Sequence, residues 1–388
     1  MRMSDRELFT TNRLFCPGPT PSPWLIKQAA LESDIYHRSK EFERLVLDCA
    51  RMLKPLFGTS QEPLILTSSG TGAMEAVVTN LTSAGDHVMV VNGGKFGERW
   101  QKINYQYGNK VSAINVAAGS APTEAQIESA LKANPDPKVF FVQANETSTG
   151  ARYDIAMVSR VLRRHAPGAL LAVDAISSLG AHAADMDALG IDAVVAGSQK
   201  GFGVAPGLSF VTLSQRAWGA LSDRPRFYFD LTRERKGQES GRTAFTPAIG
   251  LIQSLHASLT EMERIGVARV IAHHQRVSRA TRAAVKAMGL SLFVTPDAVS
   301  DALTAIKVPD GLDGTKVLTQ AKSKYGAIIS GGQDELKGRI IRFSHLGFVS
   351  PMMLIDGLAS LEFALADCGY DFKIGSGVAA AMEALREN

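Results

Sequence analysis

The sequence predicts an α/β protein in which a mainly parallel sheet, flanked by helices, is followed by a smaller C-terminal α+β domain. Two observations support this prediction. From about residue 60 to 215, short apolar runs alternate with helical patterns, which is typical of a parallel sheet covered on both faces. After about residue 250 the pattern changes to a long helical stretch and a second series of shorter elements. A chain of 388 residues is long enough for two such domains.

Six apolar runs in the first region are predicted to be strands. They are PLILTSS (63–69), HVMVVNGG (87–94), KVFFVQANE (138–146), LLAVDAISS (170–178), DAVVAGSQ (192–199) and GLSFVTLS (207–214). Several of these runs contain three or four consecutive apolar residues, as expected for strands that are buried on both faces. Helices are predicted between them. The apolar residues of GAMEAVVTNL (72–81), for example, follow the i, i+3, i+4, i+7 spacing of one helical face.

The second region begins with a helical stretch over 251–289 that is predicted to break near Gly266. A strand, a helix, two strands and a helix are predicted after it, at DALTAIKVP (301–309), TKVLTQAKSKYG (315–326), AIISGG (327–332), RIIRFSH (339–345) and MMLIDGLASLEFALADCG (352–369). The first residues, with their proline-rich segment CPGPTPSP, form an arm that is expected to lie against a partner subunit. We therefore predict an N-terminal arm over 1–22, a large domain over 23–262 and a small domain over 263–388.

The composition gives no sign of a nucleic-acid or membrane partner. Lysine and arginine total 42 against 38 acidic residues, and the basic stretches 160–165 and 233–236 lack interleaved aromatic residues, so we expect them to be solvated surface. No apolar run approaches the length of a membrane span, and the N-terminal residues are too polar for a secretory leader. Cys16, Cys49 and Cys368 are far apart, which favours a reducing, cytoplasmic location.

Three groups that could take part in binding or catalysis follow the predicted strands. They lie at the carboxyl edge, where open parallel sheets bind their ligands. Ser69, Gly70 and Thr71 begin a helix whose first N–H groups could bind an anion. A capped helix start without a ligand explains the same residues, and no Gly-Lys-Ser/Thr follows to make a Walker loop.

Asp174 ends an apolar strand, where a carboxylate is costly unless a cation or strong donors meet it. A helix cap or a local Asx-turn is the alternative interpretation. Lys200 follows the next strand and is surrounded by glycine and alanine, which leave room for a close approach. A buried lysine loses its proton more easily and can form Schiff bases with carbonyls, although a surface loop lysine is the alternative.

These three groups occur in the order that pyridoxal phosphate needs. First comes a helix that begins with glycine, then an aspartate at the end of a strand, and then a lysine at the end of the next strand. The phosphate prefers a helix N-terminus, the pyridine nitrogen a carboxylate, and the aldehyde an amine. A nicotinamide enzyme would instead show GxGxxG after its first strand, and we find no such pattern.

Several longer motifs extend this interpretation over nearly the whole chain. They are PGPTPSP (17–23), SSGTGAMEAV (68–77), NGGKFGERW (92–100), ETSTG (146–150), VDAISSLGA (173–181), GSQKGFGVAPG (197–207), TAFTPA (243–248) and IRFSHLG (341–347). With these motifs the chain resembles the class V aminotransferases of fold type I, specifically their alanine–glyoxylate and serine–pyruvate branch. The resemblance implies a pyridoxal 5'-phosphate enzyme with ping-pong transamination, in which alanine or serine donates an amino group to glyoxylate or pyruvate.

The resemblance also implies a role for each matching residue. Lys200 would form the internal aldimine and carry the proton, and Asp174 would face the pyridine nitrogen. Arg342 would bind the substrate α-carboxylate, unless it is an exposed strand arginine. The remaining cofactor contacts implied are Ser69, Gly70, Thr71 and Gln199 at the phosphate, Thr147 near the phenolic oxygen, Phe96 and Ile176 on the two ring faces, and Thr243 and Thr246 from the partner subunit of a homodimer.

Some of these assignments have alternatives. Phe96 could be an ordinary core phenylalanine, some relatives have a tyrosine at the position of Thr243, and His345 is expected to pack rather than to catalyse. An aminophosphonate or ureidoglycine transaminase, or a non-catalytic accessory subunit of the same fold, is also compatible with the sequence. A cysteine desulfurase would need a persulfide cysteine on a mobile loop, whereas Cys368 follows a helical, apolar stretch. No metal site is expected.

Overall fold

The computed structural model describes residues 12–32 and 34–386, so half of the predicted N-terminal arm, residues 1–11, lies outside the described residues. The strands in this part of the chain are β1 (Arg13–Phe15), β2 (Leu64–Leu66), β3 (His87–Asn92), β4 (Lys110–Asn115), β5 (Val139–Gln143), β6 (Asn145–Glu146), β7 (Ala151–Arg152), β8 (Leu170–Asp174), β9 (Ala193–Gly197), β10 (Ser209–Leu213), β11 (Ser291–Leu292), β12 (Leu303–Lys307), β13 (Ala327–Gly331) and β14 (Ile340–Ser344).

Helices alternate one by one with the strands from β2 to β5, and four consecutive helices separate β10 from β11. In chain order the helices are α1 (Trp24–Ala29), α2 (Lys40–Phe57), α3 (Gly70–Leu81), α4 (Lys95–Gln106), α5 (Glu124–Ala133), α6 (Ile155–His165), α7 (Gln215–Trp218), α8 (Leu231–Gln238), α9 (Ile249–Ile265), α10 (Val267–Ala287), α11 (Gly314–Tyr325), α12 (Pro351–Asp367) and α13 (Ser376–Arg386). The predicted break in the long helical stretch occurs at Gly266, between α9 and α10. In the described ranges, no helix is both long and apolar enough to cross a bilayer.

The larger sheet has seven strands in the order β2-β10-β9-β8-β5-β3-β4. All neighbours are parallel except at β10, which runs antiparallel to both β2 and β9. Strands β5, β8 and β9 are buried at every residue because apolar clusters cover both faces of the sheet. These observations confirm the predicted α/β class and its mainly parallel sheet.

The smaller sheet has the order β1-β13-β14-β12-β11 and its own apolar core. Strand β1 pairs in parallel with β13, and Phe15 packs in that core with ring stacking on Phe343 at 5.2 Å between centroids. The described end of the N-terminal arm therefore joins the smaller sheet. The division of the chain at residues 22 and 262 stays a prediction.

The sheet register brings the carboxyl ends of three strands to one edge. Gln143 at the end of β5 pairs with Asp174 at the end of β8, and Asp174 pairs with Val195 on β9. Lys200 follows the end of β9 by three residues. The predicted lysine and aspartate therefore lie on the same edge of the larger sheet.

Candidate active site

Lys200 lies in a turn after β9, and only 9% of the residue is exposed. Its Nζ donates a hydrogen bond to the Pro17 carbonyl oxygen at 2.5 Å. Burial lowers the pKa of Lys200 to about 8, while the charge of Asp174 raises it and that of Arg342 lowers it further. The surface-lysine alternative is therefore wrong: Lys200 is a buried amine that can lose its proton near neutral pH.

The segment that contains Pro17 forms a wall of the site. The Thr20 N–H donates to the Gln199 carbonyl at 3.0 Å, and Thr20 Oγ1 donates to the Lys200 carbonyl at 2.7 Å. Gly18 has a φ of +145°, and a Cβ at this position would lie 2.7 Å from Lys200 Cε. Only glycine therefore lets the backbone pass so close to the lysine. This wall is not predicted by any of the sequence motifs, although the glycine between two prolines is a signal for it.

Asp174 is buried at the end of β8, with 4% of the residue exposed. Its Oδ1 accepts a hydrogen bond from the Ile176 N–H at 2.8 Å, so the predicted Asx-turn alternative is present. Its Oδ2 has no donor in the described ranges. Burial raises the pKa of Asp174 to about 7, the Ile176 N–H lowers it, and the charge of Glu146 raises it. One carboxylate oxygen thus lacks the partner that would stabilise its charge.

Glu146 is a buried carboxylate that the sequence analysis missed. It accepts hydrogen bonds from the N–H groups of Phe96 at 3.2 Å and Gly97 at 3.1 Å, in the first turn of α4, and from Gln143 Nε2 at 2.9 Å. Burial raises the pKa of Glu146, and the hydrogen bonds that the side chain and N–H of Ser148 donate lower it. The available signal was a glutamate three residues after the end of the apolar strand β5. Its function in the fold is to fix the start of α4 and so the position of Phe96.

The start of α3 has the features of an anion site. Ser69 is its N-cap residue but makes no side-chain capping bond, and the N–H groups of Gly70 and Thr71 have no acceptor in the described part of the chain. A Cβ on Gly70 would lie 2.6 Å from Ile176 Cδ1, so glycine brings the helix start close to the residues that follow Asp174. A capping side chain at Ser69 would have accepted a hydrogen bond from one N–H group of this first turn.

Phe96 lies half-buried beside this helix start and belongs to none of the apolar core clusters found among the described residues. The guanidinium of Arg99, one turn further along α4, lies 4.8 Å from the centre of the Phe96 ring. Arg99 Nη1 also donates to Thr71 Oγ1 at 3.2 Å. The ordinary-core interpretation of Phe96 does not fit this position, and Arg99 is a second charged residue that the sequence analysis missed.

Arg342 lies on β14, is 7% exposed and is held by two carbonyl groups. Its Nε donates to the Gly331 carbonyl at 2.8 Å and its Nη1 to the Thr147 carbonyl at 2.9 Å. Burial lowers the pKa of Arg342, and the charge of Glu146 raises it. The exposed-arginine alternative is therefore wrong. Within the described ranges, Arg342 forms no ion pair with a carboxylate, so its charge remains available to a ligand.

Thr147 and Gln199 are also close to this centre. Thr147 Oγ1 shares a 2.5 Å hydrogen bond with Ser177 Oγ, and Ser177 Oγ accepts from Asn145 Nδ2 at 3.0 Å. Gln199 has a buried Oε1 without a hydrogen-bond partner in the described structure. An orphaned buried amide oxygen usually indicates a missing ligand, water or ion.

Thr243 and Thr246 are not brought to Lys200 of the same chain by any contact of the described residues. They line a small pocket with Thr67, Tyr228 and Phe245, and Thr246 is exposed. Thr243 Oγ1 donates to the Phe245 carbonyl at 2.6 Å. A contact of these threonines with a cofactor in another subunit stays a prediction.

His345 and Cys368 take no part in this cluster of contacts. His345 is completely buried, and its Nε2 shares a 3.1 Å hydrogen bond with Thr304 Oγ1. Cys368 is a free thiol at the end of α12, and both burial and the charge of Asp367 raise its pKa. A thiol with a raised pKa is a weaker nucleophile at neutral pH.

Comparisons with known proteins give one consistent relationship. The family described as aminotransferase class-V matches residues 25–344. The chain is 39% identical to the soluble hydrogenase 42 kDa subunit of Anabaena cylindrica, over 95% of this chain and 97% of that one. It is 36% identical to the L-aspartate–glyoxylate aminotransferase of Paracoccus denitrificans, over 97% and 96% of the two chains. The crystal structure of an alanine–glyoxylate aminotransferase from Nostoc superposes with a TM-score of 0.87 at 29% identity, covering 94% of this chain and 98% of that one.

Proposed function

Because the chain belongs to the class V aminotransferases, which are pyridoxal phosphate enzymes of fold type I, we propose that Lys200 is its reacting amine and that its substrates are small. The amino donor would be alanine or serine, and the acceptor glyoxylate or pyruvate. The observation that carries this proposal is a buried amine with a pKa of about 8, next to a buried carboxyl group that has a free oxygen. The family and the cofactor predicted from the sequence are both confirmed.

The residues present fit the cofactor. When bound, pyridoxal phosphate supplies an aldehyde for the amine and a ring that withdraws electrons from the substrate Cα. The unpartnered N–H groups of Gly70 and Thr71 suit its phosphate, together with the Ser69 hydroxyl and the Nε2 donor of Gln199. Asp174 would gain, in a protonated pyridine nitrogen, the cationic partner that its free oxygen lacks, and its own pKa would fall.

Lys200 would act twice, first as nucleophile and then as proton carrier. Its lowered pKa leaves a useful fraction of the amine neutral at physiological pH, which both functions require. In our proposal Nζ would accept the proton that leaves the substrate Cα and would then donate it to the bound cofactor. Phe96 and Ile176 would hold the ring from its two faces, and Thr147 would lie near the phenolic oxygen.

Arg342 would bind the substrate α-carboxylate. Its Nε and Nη1 are fixed by carbonyl oxygens, so the guanidinium is oriented before a substrate arrives. Thr243 and Thr246 would reach the phosphate of the partner subunit in a homodimer with composite sites. A cytoplasmic location suits the three free cysteines.

A donor and acceptor panel tests the substrate assignment. Purified protein loaded with cofactor is assayed with alanine, serine, aspartate, ureidoglycine and an aminophosphonate, each against glyoxylate and pyruvate. We expect the highest kcat/KM for alanine or serine. A higher value for aspartate, which the name of the Paracoccus relative suggests, or for ureidoglycine or the aminophosphonate, would overturn the assignment while leaving transamination intact.

A second candidate is an accessory subunit without catalysis, because the Anabaena relative carries the name of a hydrogenase subunit. The two candidates differ in a simple experiment. An aminotransferase takes up pyridoxal phosphate, becomes yellow and bleaches when L-alanine or L-serine is added. Borohydride reduction should then label the peptide that contains Lys200. Colourless protein that takes up no cofactor would favour the accessory subunit, and a label on another lysine would remove Lys200 from its assigned role.

A further inference from the structure

Arg99 lies beside the start of α3, and the proposed chemistry gives it no function. Its guanidinium is held by two residues that are both assigned to the cofactor, through the 3.2 Å hydrogen bond to Thr71 Oγ1 and the 4.8 Å contact with the Phe96 ring. The positive charge of Arg99 lowers the pKa of both Asp174 and Lys200. The guanidinium therefore lies near the assigned reacting groups.

Asp174 is close enough for its charge to interact with that of Arg99, but no carboxylate bonds the guanidinium directly. No ion pair joins it to an acidic side chain anywhere in the described ranges, and the adjacent Glu98 already pairs with Lys95 at 2.8 Å and Lys102 at 2.5 Å. Arginine charges that are removed from water are usually compensated by an anion or by several acceptors. The charge of Arg99 is therefore available to an external anion.

The position of this cation next to a helix N-terminus strengthens the argument. The first turn of α3 carries a partial positive charge and unpartnered N–H groups. A guanidinium beside it is unfavourable unless an anion binds both. A phosphate, which has two negative charges and several acceptor oxygens, is better suited to such a pair than a singly charged carboxylate.

We propose that Arg99 is a phosphate-binding residue of the cofactor site, donating through its guanidinium to the oxygens that also accept from the start of α3. This inference rests on the placement of the phosphate in the proposed function. The Thr71 hydroxyl orients the guanidinium, and the Phe96 ring supports its flat face. The same residue would then link the phosphate end of the cofactor to the aromatic ring assigned to its face.

The test compares two ligands that differ only in the phosphate. The affinities of pyridoxal phosphate and of pyridoxal are measured for the wild-type protein and for Arg99→Ala, Arg99→Lys and Lys102→Ala. We expect Arg99→Ala to weaken pyridoxal phosphate binding by roughly 10- to 100-fold, the range of a charge-assisted hydrogen bond, and pyridoxal binding by less than about 3-fold. Arg99→Lys should fall between, because it keeps the charge and loses the forked donor geometry. Lys102→Ala, on the same helix, should match the wild type for both ligands.

A role limited to supporting Phe96 gives a different result, because ring stacking is common to both ligands. Equal weakening of both, or no change in either, would overturn the proposal, provided that the wild-type protein binds pyridoxal phosphate. Failure of the wild-type protein to bind it would instead overturn the proposed function.

Inorganic phosphate gives a measurement that does not depend on the cofactor. It should raise the Tm of the cofactor-free wild-type protein and of Lys102→Ala, and raise that of Arg99→Ala much less. An equal rise in all three proteins would count against a phosphate contact at Arg99. Circular dichroism of each variant shows whether it is folded before these measurements.

Discussion

At the scale of the single residue, the surroundings of Lys200 determine when its amine can react. Burial lowers its pKa to about 8, and the carboxylate of Asp174 opposes this effect by stabilising the ammonium form. We expect the rate at which cofactor-free protein takes up pyridoxal phosphate to fall about tenfold per pH unit below pH 8, because only the neutral amine attacks an aldehyde.

The Asp174→Asn variant tests the cause of this pKa. Removal of the carboxylate takes away the charge that stabilises the ammonium, so the midpoint of the uptake profile should move to lower pH. Asp48→Asn, on the exposed side of α2, should leave the midpoint unchanged. A midpoint that stays in place or rises in Asp174→Asn would show that the two groups do not interact as described. The measurement is stopped-flow absorbance of cofactor uptake between pH 6 and 10.

Arg342 is expected to contribute to substrate binding rather than to the fold alone. Arg342→Ala should lower kcat/KM by roughly 10- to 100-fold, mainly through KM, because a charged hydrogen bond to the substrate carboxylate is lost. Arg339→Ala, an exposed arginine just before the same strand, is the matched control. Steady-state kinetics with alanine and glyoxylate measure both. An unchanged KM in Arg342→Ala would remove the residue from the substrate site.

At the scale of the element, α4 is held in place by Glu146. Glu146→Ala would leave the N–H groups of Phe96 and Gly97 without their acceptor, so we expect the free energy of unfolding to fall by about 1–3 kcal/mol. Pyridoxal phosphate affinity should fall as well, since the Phe96 ring moves with the start of α4. Glu98→Ala breaks only partly exposed ion pairs on the same helix and should cost at most about 1 kcal/mol.

Urea unfolding of the cofactor-free variants measures both costs. A smaller loss for Glu146→Ala than for Glu98→Ala would contradict the assignment of Glu146 as the residue that fixes this helix. If the Glu146→Ala protein is destabilised but binds pyridoxal phosphate normally, then Glu146 stabilises α4 without determining the position of the Phe96 ring.

The same elements show what the sequence could and could not reveal. Lys200 and Asp174 could be predicted from the sequence because each comes at the end of an apolar run, and parallel strands bring their carboxyl ends to one edge of the sheet. The proposed function of Arg99 could not be predicted from the sequence, because it depends on how two helices pack. Helical periodicity does not give that geometry. The contact between Gly18 and Lys200 joins positions about 180 residues apart, which no local pattern predicts. The antiparallel direction of β10 could not be predicted either, because an apolar run indicates a strand but not whether that strand is parallel or antiparallel to its neighbours.

At the scale of the whole molecule, three buried histidines form contacts between segments that are far apart in the chain. His182 follows β8, and its Nε2 accepts from the Asp301 N–H at 3.2 Å, just before β12. His274 on α10 accepts through Nε2 from the Gly347 N–H at 3.1 Å, and its Nδ1–H donates to the Val270 carbonyl at 2.8 Å. His345 follows β14 and is completely buried. All three side chains are thus enclosed among elements that belong to different parts of the chain.

Burial is the main reason why the pKa of each histidine is lowered, to about 3 for His182, about 4 for His274 and about 3 for His345. The charged groups around them are Asp301, whose charge raises these pKa values, and Arg152 and Arg282, whose charges lower them. Neighbouring histidines, His273 among them, add to the lowering.

These pKa values predict an acid-labile fold. The unfolded chain binds protons on histidine below about pH 6.5, whereas the folded chain keeps the three rings neutral until about pH 4 or lower. Above about pH 6.5 these neutral histidines therefore do not reduce the free energy of unfolding. As the pH falls below this value, the free energy of unfolding decreases by up to about 1.4 kcal/mol per histidine and pH unit. Urea unfolding at pH 7.5 and pH 5 measures this loss. His274→Gln should reduce the difference between the two pH values, because one proton-binding site disappears from the unfolded chain. His256→Gln, on the partly exposed face of α9, serves as the control for histidine removal, and an equal reduction in both variants would contradict the assignment to the buried rings.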